Sequence, residues 1–373
     1  MTDYYEVRIH EDDGPTDIDM NAYAQHRAKA TLPQGLPITT GQTETIDNER
    51  PQPLVETMPE LAAIDAALRT GLGFGLDAIV SVLNVARQWE ADPSTSATLT
   101  SSEALIERCA ELAVGATPSE CAKAVDWLTL QSTDLNAQTI PHWETERRAK
   151  RVLTSPLVAT ADGLWVLPWL AESTLHVFLN YLSDGRLPWP DTVLPAGVFK
   201  ALDQYRQTKN RELEKEIVAA LGVGSFVVKG SVKPEKANYY GFTQLSGEID
   251  ALCFDPARSR VWVIEAKDPY TPYSYRQVRR LFDDFHAPKR YVDKLLTKVD
   301  DIAAAASQIA SKLGIPDPTR PWTARGLIVT RHVEPAAFSV TPRVTFCTVE
   351  DVAQAVDQDD EPKVGFYQGI SAS

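Results

Sequence analysis

Asp250, Glu265 and Lys267 are the residues whose types and spacing suit chemistry in this chain of 373 residues. All three fall in the stretch 245–268, LSGEIDALCFDPARSRVWVIEAKD. The segments LSGEIDALCF and RVWVIEAK are rich in β-branched and aromatic residues, and DPARS between them has turn chemistry, so the stretch reads as a β-hairpin. Side chains alternate faces along a strand, which puts Glu265 and Lys267 on one face with Val261 and Val263, and Glu248 on one face with Asp250. A hairpin folded about Ala257 and Arg258 sets Phe254 opposite Val261 and Asp250 opposite Glu265. Opposed residues have Cβ atoms about 4.5–5.5 Å apart, and like charges so placed destabilise the pair. Two carboxylates on a half-buried sheet need a proton, a cation or a metal. A hard divalent ion answers that need, since Mg²⁺ uses one or two protein carboxylates plus waters. Lys267 would project beside the same ion.

At these positions the sequence resembles the PD-(D/E)XK nuclease superfamily, the restriction-endonuclease-like fold. Its signature is an acidic residue on one strand and Glu-X-Lys on the next, here Asp250 and Glu265-Ala266-Lys267; Ile249-Asp250 stands in place of the Pro-Asp dipeptide. The resemblance implies that Asp250 and Glu265 coordinate Mg²⁺ (or Mn²⁺), that the carbonyl of Ala266 adds a ligand, and that Lys267 orients or helps deprotonate the attacking water. Such a metal lowers the pKa of bound water and acts as a Lewis acid on phosphate. Many members also carry a glutamate on the first core helix. Glu214 in LEKEIVAAL is the candidate, with Glu212 and Glu216 competing for the role, and Glu248 is an alternative third carboxylate for the metal. The expected activity is hydrolysis of phosphodiester bonds in DNA. An RNA nuclease and a non-catalytic scaffold binding nucleic acid or protein are the alternatives. By family-level analogy, a nuclease domain joined to an unfamiliar accessory domain suits bacterial defence or DNA maintenance.

The elements that would position these residues follow in an informative order. Helical periodicity runs from about 196 to Gly222, then come a strand at 225–231 and the two hairpin strands. A long helical stretch occupies 275–313, strands follow at 324–331 and 343–349, and EDVAQAV closes as a helix. Helix, three strands, helix, strand predicts an α+β domain with an αβββαβ core and a mixed sheet over 196–352. A mainly α-helical accessory domain is expected over 58–195, as an interaction surface for a protein partner. Within it, Thr100-Ser101-Ser102-Glu103 and Thr117-Pro118-Ser119-Glu120 fit capping boxes. PLVATADGLWVLP fits a short hairpin, and His142–Leu153 a polar helix carrying Arg147, Arg148, Lys150 and Arg151. Residues 1–57 read as an acidic, partly ordered arm and 353–373 as an acidic tail.

The net charge of −14 argues at first against a nucleic-acid partner, but its distribution does not. Residues 1–60 hold twelve acids against four bases, and the tail from Asp351 holds five against one, so the interval between is close to balance. What matters for DNA is a local basic strip. Arg276, Arg279, Arg280, Lys289, Arg290, Lys294 and Lys298 follow the hairpin, and Lys229, Lys233 and Lys236 precede it. Aromatic loops, with Tyr240 on the approach and Tyr273 on the exit, should converge at the end of the sheet where Lys267 sits and offer stacking faces for bases. Cys109, Cys121, Cys253 and Cys347 show no zinc spacing and read as buried thiols, which points to the cytoplasm. No signal peptide or membrane span is legible, and no Walker A, dinucleotide-binding or Ser-His-Asp pattern suggests another class of enzyme.

Overall fold

The computed structural model describes residues 52–90, 96–135, 148–241, 245–272, 275–338 and 343–357. It is a mixed α+β chain whose described residues group into two compact units, 52–208 and 209–357. No single helix among them is long and apolar enough to cross a membrane.

The first unit is built around helix α2 (Leu76–Arg87), preceded by α1 (Ala62–Leu72) and followed by α3 (Ser102–Leu112), α4 (Pro118–Trp127) and α5 (Pro168–Ser183). Helix α2 is apolar around most of its circumference, so it must be enclosed; Ile79, Val82, Leu83 and Ala86 are fully buried. The core begins before residue 58: Leu54 is buried and donates its N–H to Asp77 Oδ1, so the expected arm gives way to packed chain earlier than 57. Thr117 and Glu120 form the expected reciprocal cap of α4. The other cap is shifted by one residue. Ser101 accepts from Ala104 N at 3.1 Å, while Thr100 belongs to strand β1 (Thr98–Thr100). With β2 (Thr129–Leu130), β3 (Leu157–Thr160) and β4 (Gly163–Val166) it makes a four-stranded sheet ordered β1-β4-β3-β2. Only the β3–β4 hairpin was legible as strand, because β1 and β2 are too short to show alternation. The polar helix expected over 142–153 is not helical where it is described. Lys150 Nζ donates to Thr129 O at 2.7 Å and Arg151 to Pro188 O, so these bases tie down backbone carbonyls.

Helix α6 (Ala196–Leu221) contributes to both units. Val198, Ala201 and Leu202 lie in the core of the first, and Leu213, Ile217 and Leu221 in a core of the second. The division therefore falls inside the helix, between Thr208 and Lys209, and not ahead of it at 195.

The second unit carries β5 (Val227–Val232), β6 (Ile249–Asp255), β7 (Arg260–Ala266), α7 (Tyr275–His286), α8 (Tyr291–Lys312), β8 (Thr323–Thr330), β9 (Val344–Thr348) and α9 (Val352–Asp357). The strands lie in that order across one sheet; β5, β6 and β7 pair antiparallel, and β7, β8 and β9 parallel. The hairpin register is the expected one, with Phe254 paired to Val261 and Ala251 to Ile264. Asp255 shapes the turn by accepting from Ala257 N and Arg258 N. Alternation sorts the sheet's two faces. Leu252, Phe254, Val261 and Val263 pack under α7 and α8, whereas Ala251, Cys253, Trp262 and Ile264 pack against α6 and α9. All four cysteines are buried and free. The helical stretch after the hairpin is two helices, broken where Pro288 and the left-handed Lys289 (φ 64°) interrupt it. Val352, Ala355 and Val356 are buried, so the first residues of the expected tail are a core helix.

Candidate active site

The pairing of β6 and β7 positions the candidate residues. Asp250 lies one step beyond the last paired residues, Ala251 and Ile264, where the ladder leaves backbone donors unspent. Its carboxylate fills that gap: Ala266 donates its N–H to Asp250 Oδ2 at 2.7 Å. On the other edge Lys267 donates its N–H to Val329 O at 2.9 Å, so the backbone of Ala266 and Lys267 is held from both sides. Residues 265 and 267 share a face, and Lys267 Nζ turns back across it. It sits 3.1 Å from Glu265 Oε2, 3.0 Å from Ala266 O and 4.0 Å from Asp250 Oδ2. Three oxygens on neighbouring strands thus converge on one cation. Tyr291, at the start of α8, places its ring centroid 5.3 Å from the same nitrogen.

Burial sets the electrostatics. Desolvation, reinforced by the negative charge of Glu265, raises the Asp250 pKa from 3.8 to about 6; Lys267 and the Ala266 N–H offset only part of that rise. For Lys267 burial pulls the other way, but Glu265 and Asp250 overcome it and the net shift is upward. Lys267 is therefore an ammonium at neutral pH. In that state it can stabilise negative charge and donate hydrogen bonds.

Of the three helix glutamates, the structure brings Glu214 into the field of the site. Burial raises its pKa, with Glu248 and Glu265 adding to the rise and Lys267 opposing it. Glu216 is instead paired with Arg331 at 2.9 Å, and Glu212 is exposed. The Glu248 carboxylate is engaged by Ser231 Oγ (3.1 Å) and Lys233 Nζ (3.6 Å) and is not among the oxygens that meet Lys267. Lys233, expected on phosphate, is thereby occupied. Tyr240 is buried in the core under α8, because it ends a one-turn helix packed inward; the exposed neighbour is Tyr239, at 74%. Arg276, Arg279 and Arg280 are exposed on α7 and make no ion pair among the described residues. Tyr273 lies outside the described residues.

One residue of the site, Tyr291, carries no assignment from the sequence, and a second, Lys298, takes a place other than the basic strip expected to meet phosphate. The Lys298 ammonium pairs with Glu265 Oε1 and donates a second hydrogen bond to the backbone oxygen of Glu248. The signal was present: Lys298 borders the apolar seam Val292, Leu295, Val299, Ile302 of α8, where a partly buried cation needs a partner.

The oxygens of Asp250 and Glu265, with the Ala266 carbonyl, are hard donors suited to Mg²⁺ or Mn²⁺. Among the described residues no three His, Cys, Asp or Glu side chains are grouped to hold a metal. The donor set is thus two carboxylates and a carbonyl, a sparse set that fits Mg²⁺, which keeps waters and phosphate oxygens in its shell. No family model matches the chain, and no curated protein or solved structure matches it either.

Proposed function

We propose that the unit from Lys209 onward is a Mg²⁺-dependent nuclease of the PD-(D/E)XK type, its core the αβββαβ arrangement of α6, β5–β7, the helical pair α7–α8, and β8. The observation that carries this reading is the convergence of Asp250 Oδ2, Glu265 Oε2 and Ala266 O on the Lys267 ammonium. Phosphodiester hydrolysis joins a water oxygen to phosphorus and expels an alkoxide, so negative charge grows on the phosphate oxygens. Asp250, Glu265 and the Ala266 carbonyl would hold the metal, which when bound supplies an acidic water and Lewis-acid polarisation. Lys267, as an ammonium, would stabilise the phosphate's developing charge and orient the nucleophile by hydrogen bonding. Glu214 adds a further carboxylate near the site, and Arg276, Arg279 and Arg280 hold backbone phosphates without reading sequence. DNA is the substrate we favour.

A second reading, a binding scaffold with a nuclease-like fold, is favoured by one observation. Lys267 and Lys298 set two positive charges against the two negative charges of Asp250 and Glu265, so the formal charges of the cluster balance without any metal. One experiment separates the two. Plasmid, single-stranded DNA and RNA are incubated with the protein in Mg²⁺, Mn²⁺ or EDTA, alongside Lys267→Ala and Asp250→Ala. Cleavage that needs metal and is lost in both variants supports the enzyme; the substrate cut identifies DNA or RNA. Nucleic acid retained but never cut, equally in wild type and variants, favours the scaffold.

A further inference from the structure

Lys298 is the most deeply engaged cation of the site. Its side chain is 12% exposed, and its ammonium joins Glu265 Oε1 to the backbone oxygen of Glu248. The space it occupies is kept open by sequence. A Cβ on Gly247 would stand 3.1 Å from Lys298 Cε, close enough that the arm would have to give way by a few tenths of an ångström. One turn further along α8, Asp301 Oδ2 accepts the N–H of Ser246 at 2.8 Å, so the loop ahead of β6 is fastened to the helix at two points. Lys298 is therefore held in place, and Glu265 meets a cation at each oxygen: Lys298 at Oε1 and Lys267 at Oε2.

We propose that Lys298 sets the cation selectivity of the site by holding Oε1 of Glu265, so that this carboxylate offers a metal only Oε2, the oxygen it shares with Lys267. This rests on the metal-dependent reading above. Single-oxygen carboxylates suit the strict octahedron of Mg²⁺ and Mn²⁺, whereas Ca²⁺, with six to eight ligands, gains from two-oxygen chelation. Lys298 thereby disfavours Ca²⁺ and lowers the affinity for every divalent ion by charge repulsion. An ammonium and a divalent ion sharing one carboxylate repel by enough, even with water-like screening, for about a tenfold difference in affinity.

The test is calorimetric titration of the metal-stripped full chain with Mn²⁺ and with Ca²⁺, for wild type, Lys298→Met, Lys298→Arg and Asp250→Asn. Lys298→Met should bind Mn²⁺ about tenfold more tightly and gain still more for Ca²⁺. Lys298→Arg, which keeps the charge, should stay close to wild type in its preference. Should Lys298→Met fail to fold, Lys298→Gln removes the charge while keeping a donor for the Glu248 carbonyl. Mn²⁺ binding that Asp250→Asn removes but that Lys298→Met leaves unchanged or weakened overturns the role of Lys298 and leaves the metal site standing. Wild type that takes up no Mn²⁺ attributable to Asp250 overturns both.

Discussion

Asp250 should make the metal-free protein less stable at neutral pH than it would be with a neutral isostere, and Asp250→Asn tests this. Its side chain is 17% exposed and faces Glu265 across the hairpin. Burial and that neighbour lift its pKa from 3.8 to about 6. A carboxyl whose folded pKa lies above its unfolded value binds its proton more tightly when folded. Its contribution is thus fully present below pH 3.8, is lost as pH rises toward 6, and stays lost above. The rise corresponds to about 3 kcal/mol. Asparagine resembles the protonated acid and can still accept the Ala266 N–H. In EDTA, urea unfolding should show Asp250→Asn more stable than wild type by up to about 3 kcal/mol at pH 8, with the two converging near pH 4. Mg²⁺ should then stabilise wild type and not the variant, while the variant loses all cleavage. A variant equal to or weaker than wild type at pH 8 would show that Lys267 and Lys298 already compensate the carboxylate in full, and the electrostatic argument would fall.

Three further outcomes follow from other parts of the molecule. Replacing Arg276, Arg279 and Arg280 together by Ala should weaken DNA binding at low salt and flatten the slope of log affinity against log salt by about 3 for duplex DNA; an unchanged slope places the DNA elsewhere. Thr117→Ala removes the reciprocal cap of α4 and should cost about 1 kcal/mol in urea unfolding of the first unit, with loss of stability absent if water replaces the hydroxyl at no cost. In β8, a Cβ on Gly326 would stand 2.9 Å from Leu295 Cδ2 and 3.3 Å from Val344 Cγ2. Gly326→Ala should therefore destabilise the second unit by about 1–3 kcal/mol through overpacking between sheet and α8, and a neutral effect would mean that Leu295 has a second rotamer to move into.

The hairpin and its register were legible because the signal is local. Period-two alternation, a turn that closes on itself and two carboxylates at matched distances from that turn fix Asp250 beside Glu265 without knowledge of anything else. The same locality misled elsewhere. Tyr240 and Tyr239 are adjacent and chemically alike, and only the tertiary packing of a single helical turn decides that Tyr240 is buried and Tyr239 exposed. Thr100 fits a capping box on paper, yet pairing with Leu164 makes it a strand residue and hands the cap to Ser101. Lys298 lies 33 residues from Glu265, and no local pattern joins them. What the sequence did hold was a lysine on the border of an apolar seam. Such a residue demands a partner, and the hairpin held two carboxylates with one lysine beside them.

That demand also explains why the site takes the form it does. A buried carboxylate pair is costly alone, and either a metal or ammonium groups must balance it before the sheet can close. Here Lys267, just past the end of β7, supplies one ammonium and α8 supplies the other, so the hairpin and its covering helix are held by the same charges that the proposed chemistry would use. A divalent ion entering such a cluster adds charge to a balanced group. It is retained only if it gains more from Asp250, Glu265 and a phosphate than it loses against Lys267 and Lys298. Substrate phosphate, carrying negative charge into the same space, shifts that balance toward the ion. Metal affinity should therefore rise when a phosphodiester is present, and Mn²⁺ titrations with and without a short DNA duplex, using Lys267→Ala to block cleavage, would reveal the coupling. Equal affinities in the two titrations would mean that ion and phosphate do not share the space above β7.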